Sequence, residues 1–206
     1  MMITRRAALL GAAGLLGWPA RADTLVLQPR AAWGAADALS GGTEHRIWQV
    51  TLHHTAVAAS AGQDTPARLR SYQAHHQRLG WVDIAYHVLI GPDGTLYQGR
   101  SALLVGDTAT DYDPTGHFLV CLDGNFETQV LPEAQYRAAV DICAWACEAH
   151  RVPVERVSAH ADHAHTVCPG RAVRGRLASF RRDVAARGTV GVRIPAFSPA
   201  PGSGGR

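Results

Sequence analysis

Between residues 47 and 184 the apolar pattern switches repeatedly between strand-like and helix-like spacing, and this alternation constrains the fold more than any other feature. Ile47 to His53 reads as a buried strand. Thr65-Pro66 reads as an N-cap followed by proline in the first turn, with Leu69, Tyr72, His76 and Leu79 at helical spacing and Gly80 ending the run. Tyr86 to Gly91 and Thr95 to Gly99 flank Pro92-Asp93-Gly94, a hairpin signal. His117 to Leu122 is a further strand, closed by Asp123-Gly124-Asn125. Leu131-Pro132-Glu133 opens a long helix to about His150, and Val157 to Ala159 forms a short strand or loop. Val173, Leu177, Phe180 and Val184 mark a last amphipathic helix. Residues 23–46 read as irregular. Strands alternating with helices predict an α/β fold, a single central mixed β-sheet flanked by helices.

The two ends read differently from this body. Thr4-Arg5-Arg6 precedes an apolar run from Ala7 to Trp18, and Ala20-Arg21-Ala22 carries small residues where a signal peptidase cuts. Residues 1–22 are therefore expected to be a signal peptide, and the protein exported to a periplasmic or extracellular site. The paired arginines resemble a twin-arginine signal; an ordinary secretory signal that carries two arginines is the alternative. The apolar run is too short for a permanent span, so no stable membrane insertion of the mature chain is expected. From Gly188 to Arg206 the sequence is rich in Gly, Pro and Ser, and an unstructured tail is expected there. That leaves residues 23–187 as one domain, expected to act as a monomer.

The formal charge of +3 is too small and scattered for a nucleic-acid partner. Cys121 lies in an apolar strand, and Cys143 and Cys147 lie four apart in a helix, where bridge geometry is poor. A bridge from Cys121 to either helix cysteine stays open at this level. Cys168 has polar neighbours and reads differently from the other three.

Chemistry concentrates in two places. His53-His54 ends a strand before a small-residue loop, Thr55 to Gly62. Ser158 to Cys168 packs three histidines, one aspartate and one cysteine into eleven residues. Nitrogen and thiolate donors together suit Zn2+. The second segment could furnish a structural site by itself, or be a polar loop with unrelated histidines. Two ligands from it and one from the distant strand end would instead leave a coordination position open, the mark of catalytic zinc.

Five motifs in order resemble the zinc-dependent N-acetylmuramoyl-L-alanine amidases, which share a fold with peptidoglycan recognition proteins and phage amidase lysozymes. They are Gln28-Pro-Arg-Ala-Ala-Trp-Gly-Ala35, Val50-Thr-Leu-His-His-Thr-Ala56, Gly80-Trp-Val-Asp-Ile-Ala-Tyr-His-Val-Leu-Ile-Gly91, Asp93-Gly-Thr-Leu-Tyr-Gln-Gly-Arg100, and His160 with Cys168 ahead of Pro-Gly. The resemblance covers most of residues 28–180. It implies one zinc ion held by His53, His160 and Cys168, with the first histidine of the pair as ligand. It implies that Tyr86 hydrogen-bonds the water or the developing oxyanion, and that Thr166 helps stabilise the tetrahedral intermediate. The implied substrate is peptidoglycan or a muropeptide, cut at the amide between N-acetylmuramic acid and L-alanine. A non-catalytic peptidoglycan-binding module on the same fold is the rival reading. One departure stands out: Val105-Gly-Asp-Thr108 places threonine where many members have a groove histidine, and the loop to His117 is one residue longer. His163 and His165 match no family ligand and are expected to be exposed loop residues.

Overall fold

The computed structural model describes residues 24–195. Seven strands form one sheet: β1 (Thr24–Gln28), β2 (Gln49–His54), β3 (Val88–Ile90), β4 (Leu96–Gln98), β5 (His117–Leu122), β6 (Val157–Ala159) and β7 (Gly191–Arg193). Their order is β6-β2-β5-β3-β4-β1-β7. The β3–β4 hairpin is the antiparallel pair, and the other neighbours run parallel. Central strands β2 and β5 are buried along their whole length, as parallel strands covered on both faces should be.

Strand parity sorts side chains between two layers. Val50 and Leu52 of β2, Val88 and Ile90 of β3, and Phe118, Val120 and Leu122 of β5 enter the larger core. Helix α2 (Glu133–His150) supplies Tyr136, Ala139, Val140 and Cys143 to it, and α4 (Leu177–Arg187) supplies Phe180 and Val184. On the opposite face a smaller cluster gathers Trp33, Leu69 of α1 (Thr65–Arg78), Ile84, Leu89, Tyr97 and Cys121. All four cysteines are free and buried, so neither bridge left open from Cys121 is present.

Several local expectations need correction. Asp64, not Thr65, caps α1, its carboxylate accepting from the Ala67 N–H at 2.9 Å. The last helix is two pieces, α3 (Arg171–Arg174) and α4, with Gly175 between them. Residues 24–28, read as irregular, form β1. The tail was expected to lack structure from Gly188. Instead Val190 is buried, Val192 packs against the main core, and β7 pairs with β1 in parallel. Two apolar residues at alternate positions suffice there because β1 offers an open edge. The proposed signal peptide, and the tail beyond residue 195, lie outside the described residues.

Candidate metal centre

The parity that sends Val50 and Leu52 into the main core turns Gln49, Thr51 and His53 to the opposite face. His54 falls on the core side, where its Nδ1 accepts from the Phe126 N–H at 3.2 Å. His160 opens a 3-10 turn, His160–Asp162, directly after β6. The Asp162 carboxylate accepts from the Ala159 N–H, and the Ala161 N–H donates to the Cys168 carbonyl, both at 2.9 Å. The second bond closes the eight-residue separation between His160 and Cys168. Gly170 seats the following turn: a Cβ there would lie 2.3 Å from the Phe126 carbonyl carbon, so only glycine permits the approach.

His53, His160 and Cys168 are all buried, and one donor atom from each lies within 4.8 Å of the others. The Cys168 Sγ is 3.8 Å from His53 Nδ1. That is close to the ligand-to-ligand spacing of about 3.5 Å implied by tetrahedral zinc bond lengths. His160 Nδ1 is buried without a hydrogen-bond partner among the described residues, and so is His53 Nε2, the ring nitrogen other than the one nearest the Cys168 sulfur. Orphaned imidazole nitrogens are costly unless something else satisfies them. Burial, reinforced by His160, holds His53 well below its usual pKa, and burial with His163 and His54 nearby lowers His160 to about 4. Both rings are thus neutral and competent to ligate at physiological pH. Burial pushes the Cys168 thiol up to about 12, while the His54 N–H, 3.4 Å from Sγ, favours the thiolate. A divalent cation beside the sulfur would reverse the burial effect. Two imidazoles and a thiolate fit a borderline-soft ion such as Zn2+.

Tyr86 stands beside this triad, its ring centroid 5.4 Å from that of His53. It precedes β3 and packs with Leu89 on the smaller cluster, not with Val88 and Ile90. Gly99 fixes its backbone, since a Cβ there would sit 2.1 Å from the Tyr86 carbonyl oxygen. Burial first, then the Cys121 and Cys168 sulfurs, hold the Tyr86 phenol well above its ordinary pKa. It is therefore a protonated donor at neutral pH. Thr166 is placed differently: its hydroxyl accepts from the Cys168 N–H at 3.2 Å and shapes the ligand turn.

The walls of the site are tied down by ion pairs. Asp123, buried at the end of β5, accepts from Arg68 Nε and Nη2 at 2.9 Å, from Tyr72 Oη at 2.9 Å and from Gln63 at 2.7 Å. This anchors the 55–64 loop to α1. Arg100 holds the start of the next loop, donating to the Val105 carbonyl at 2.7 Å and pairing with Asp107. On that loop Thr108 and Thr110 turn their hydroxyls to His160, and Tyr112 lies between His160 and His163.

A buried polar row flanks the triad. Thr51 bonds His117 Nδ1 at 2.8 Å and Ser158 at 3.2 Å, and Ser158 bonds Gln49 and His163 Nε2, each at 2.8 Å. His163 is thus a half-buried partner of Ser158 and not a free loop residue, whereas His165 is exposed as expected. The polar residues at alternate positions of β2 were a visible signal of this row. Tyr112 and Thr110 had none, because the 105–116 loop has no periodicity.

Residues 43–171 match the family model described as N-acetylmuramoyl-L-alanine amidase. The N-acetylmuramoyl-L-alanine amidase of Mus musculus is 35% identical over 167 residues, a match covering 77% of this chain and 30% of that protein. The chain therefore spans under a third of that relative. Peptidoglycan-recognition protein SC2 of Drosophila melanogaster is 32% identical over 146 residues, covering 67% of this chain and 77% of the relative. Among solved structures, a mutant of Drosophila PGRP-LB in complex with tracheal cytotoxin superposes with a TM-score of 0.66 at 25% identity, covering 77% of this chain and 96% of that one.

Proposed function

The chain belongs to the N-acetylmuramoyl-L-alanine amidase family, and on that premise we propose that it is a zinc-dependent hydrolase of the amide between N-acetylmuramic acid and L-alanine. The observation that carries this reading is the buried His53, His160 and Cys168 set beside the Tyr86 phenol. The substrate is peptidoglycan or a muropeptide. A related structure of the same fold is described with tracheal cytotoxin, a monomeric diaminopimelic acid-type peptidoglycan. A wall substrate agrees with export through residues 1–22. No described helix is long and apolar enough to cross a membrane.

His53, His160 and Cys168 would hold one zinc ion, which would supply a Lewis acid and lower the pKa of water. The protein's own groups do the rest. Tyr86 donates its hydroxyl proton as a hydrogen bond to the oxygen that gains charge as the amide carbon becomes tetrahedral. Burial raises its pKa, so Tyr86 enters the reaction as a protonated donor. Thr166 acts one step back, holding the Cys168 backbone and so the direction of the sulfur. That bond uses an oxygen lone pair and does not engage the hydroxyl proton, which remains for the stabilisation of the tetrahedral intermediate that the resemblance implies. A binding-only module would leave the Cys168 sulfur and the half-buried Tyr86 phenol without a task.

The test is purified protein, assayed for bound zinc and incubated with sacculi and with a soluble muropeptide. Stoichiometric zinc with appearance of free L-alanine amino groups supports the reading. Peptidoglycan binding with no new amino groups, at full zinc occupancy, would establish the binding module instead.

A further inference from the structure

The Thr108–Thr110 pair meets the His160 ring at Nε2. Thr110 Oγ1 is 2.7 Å from His160 Nε2, and Thr108 Oγ1 is 3.4 Å from the same nitrogen. The two hydroxyls are 2.8 Å apart, and Thr108 Oγ1 also accepts the Thr110 backbone N–H at 3.2 Å. The other ring nitrogen, His160 Nδ1, is buried and unpartnered among the described residues.

We propose that Thr110, backed by Thr108, is a positioning residue that locks His160 in its Nε2-protonated tautomer and aims Nδ1 at the metal. The inference rests on the reading of His160 as a zinc ligand. Its physical core is the directionality of hydrogen bonds. A neutral imidazole has one N–H and one lone pair. For Nδ1 to ligate, Nε2 must carry the proton and needs an acceptor. Thr110 Oγ1 is that acceptor provided its own proton points elsewhere, and Thr108 Oγ1 is where it points. The resulting relay runs His160 Nε2–H to Thr110 O–H to Thr108.

The loop is built to hold this relay. Arg100, buried beneath it, donates to the Val105 carbonyl and pairs with Asp107, fixing the residues just before Thr108. A hydroxyl relay is neutral, unlike a carboxylate partner. It orients the imidazole without adding negative charge next to the Cys168 thiolate, and so leaves the centre more electrophilic. Position 108, where the resemblance leads one to expect a histidine, thus carries a hydroxyl that backs the contact to His160.

The experiment compares wild type with Thr110→Val, Thr110→Ser and Thr108→Val. Zinc affinity is measured by chelator competition, and the His160 tautomer by long-range nitrogen–proton NMR on the metal-free protein. Thr110→Val keeps shape and removes the acceptor, so affinity should fall by roughly 10- to 100-fold, the scale for losing an outer partner of a ligand. Thr110→Ser should restore it. Thr108→Val should weaken binding less. The wild-type ring should be protonated at Nε2, and in Thr110→Val the proton should redistribute toward Nδ1. Wild-type affinity in Thr110→Val, or a serine variant as weak as the valine one, overturns the proposal. A wild-type protein that binds no zinc overturns the reading of the centre. In that case the ring tautomer in metal-free protein still decides the role of Thr110: a change in Thr110→Val upholds it, and no change sinks it.

Discussion

His53 and His54 are adjacent in the chain and stand on opposite faces of the sheet: His53 faces Cys168, its Nδ1 3.8 Å from the sulfur, while His54 faces the main core and accepts from the Phe126 N–H. Period-two alternation alone produces this division of labour. His53→Ala should therefore abolish stoichiometric zinc binding, and His54→Ala should keep the metal. The second change leaves the Phe126 N–H without its partner and should cost about 1–3 kcal/mol of stability. Zinc content and urea unfolding of both variants check this; zinc lost from His54→Ala and kept in His53→Ala would reverse the assignment.

Cys168→Ser tests the thiolate. Serine fills nearly the same space in a buried position but is no ligand anion at neutral pH. Zinc affinity should drop by more than the roughly 100-fold upper range for an outer partner, and hydrolysis should go with it. The metal-free variant should unfold within about 1 kcal/mol of metal-free wild type. Unchanged zinc occupancy would remove the sulfur from the centre.

The C-terminal strand separates stability from catalysis. Strand β7 lies at the sheet edge opposite β6 and β2, which carry the site. A chain of residues 23–187 loses buried Val190 and the pairing with β1. It should be about 2 kcal/mol less stable than one of residues 23–195, with equal zinc affinity and turnover when folded. Equal urea midpoints for the two lengths would show that β7 contributes nothing.

What could be read from the sequence divides along physical lines. Strand β5 matches its expected bounds, because a continuous apolar run closed by Asp123-Gly124-Asn125 needs no distant information. Strand β1 was invisible, since its partners β4 and β7 lie about 70 and 170 residues away and a five-residue segment has little periodicity of its own. His53, His160 and Cys168 were legible as chemistry and do converge. The start of the third strand was not: Tyr86 to Gly91 reads as strand, but the chain takes strand geometry only from Val88, and Tyr86 packs with Leu89 on the smaller cluster. His163 was misjudged because nothing local signals that Ser158 faces it across the β6 turn.

A buried histidine away from the metal gives a pH signature. His87 Nδ1 accepts from the Leu119 N–H and Nε2 donates to the Leu104 carbonyl, each at 2.9 Å, so the first bond requires the neutral ring while the second survives protonation. Burial lowers its pKa from 6.5 to about 3. Below pH 6.5 the unfolded chain takes up a proton that the folded chain refuses, so stability falls as pH falls toward 3 and is unaffected above 6.5. Glutamine offers an acceptor and a donor without titrating. Between pH 6 and pH 5, wild type should lose about 1 kcal/mol more than His87→Gln. Parallel urea curves for the two proteins at both pH values, with no difference in slope, would refute it.

Tyr86→Phe isolates one hydroxyl beside the proposed metal ligand His53. The ring keeps its packing on the smaller cluster, so zinc content and stability should hardly move. If the phenol donates to charge that develops only during reaction, kcat should fall by roughly 100-fold or more, the scale for losing one such donor. KM should change far less, because the bond is weak in the ground state and strengthens in the transition state. The competing view makes Tyr86 a packing residue alone. That view has support in its contact with the Leu89 cluster, and it expects near-normal turnover for phenylalanine with lost stability for alanine. Steady-state kinetics of Tyr86→Phe on a muropeptide, beside unfolding curves for Tyr86→Ala, separate the two. Unchanged kcat at full zinc occupancy would leave the metal centre intact and take the tyrosine out of the chemistry. The transition-state charge would then have to be met by the cation and by backbone groups alone.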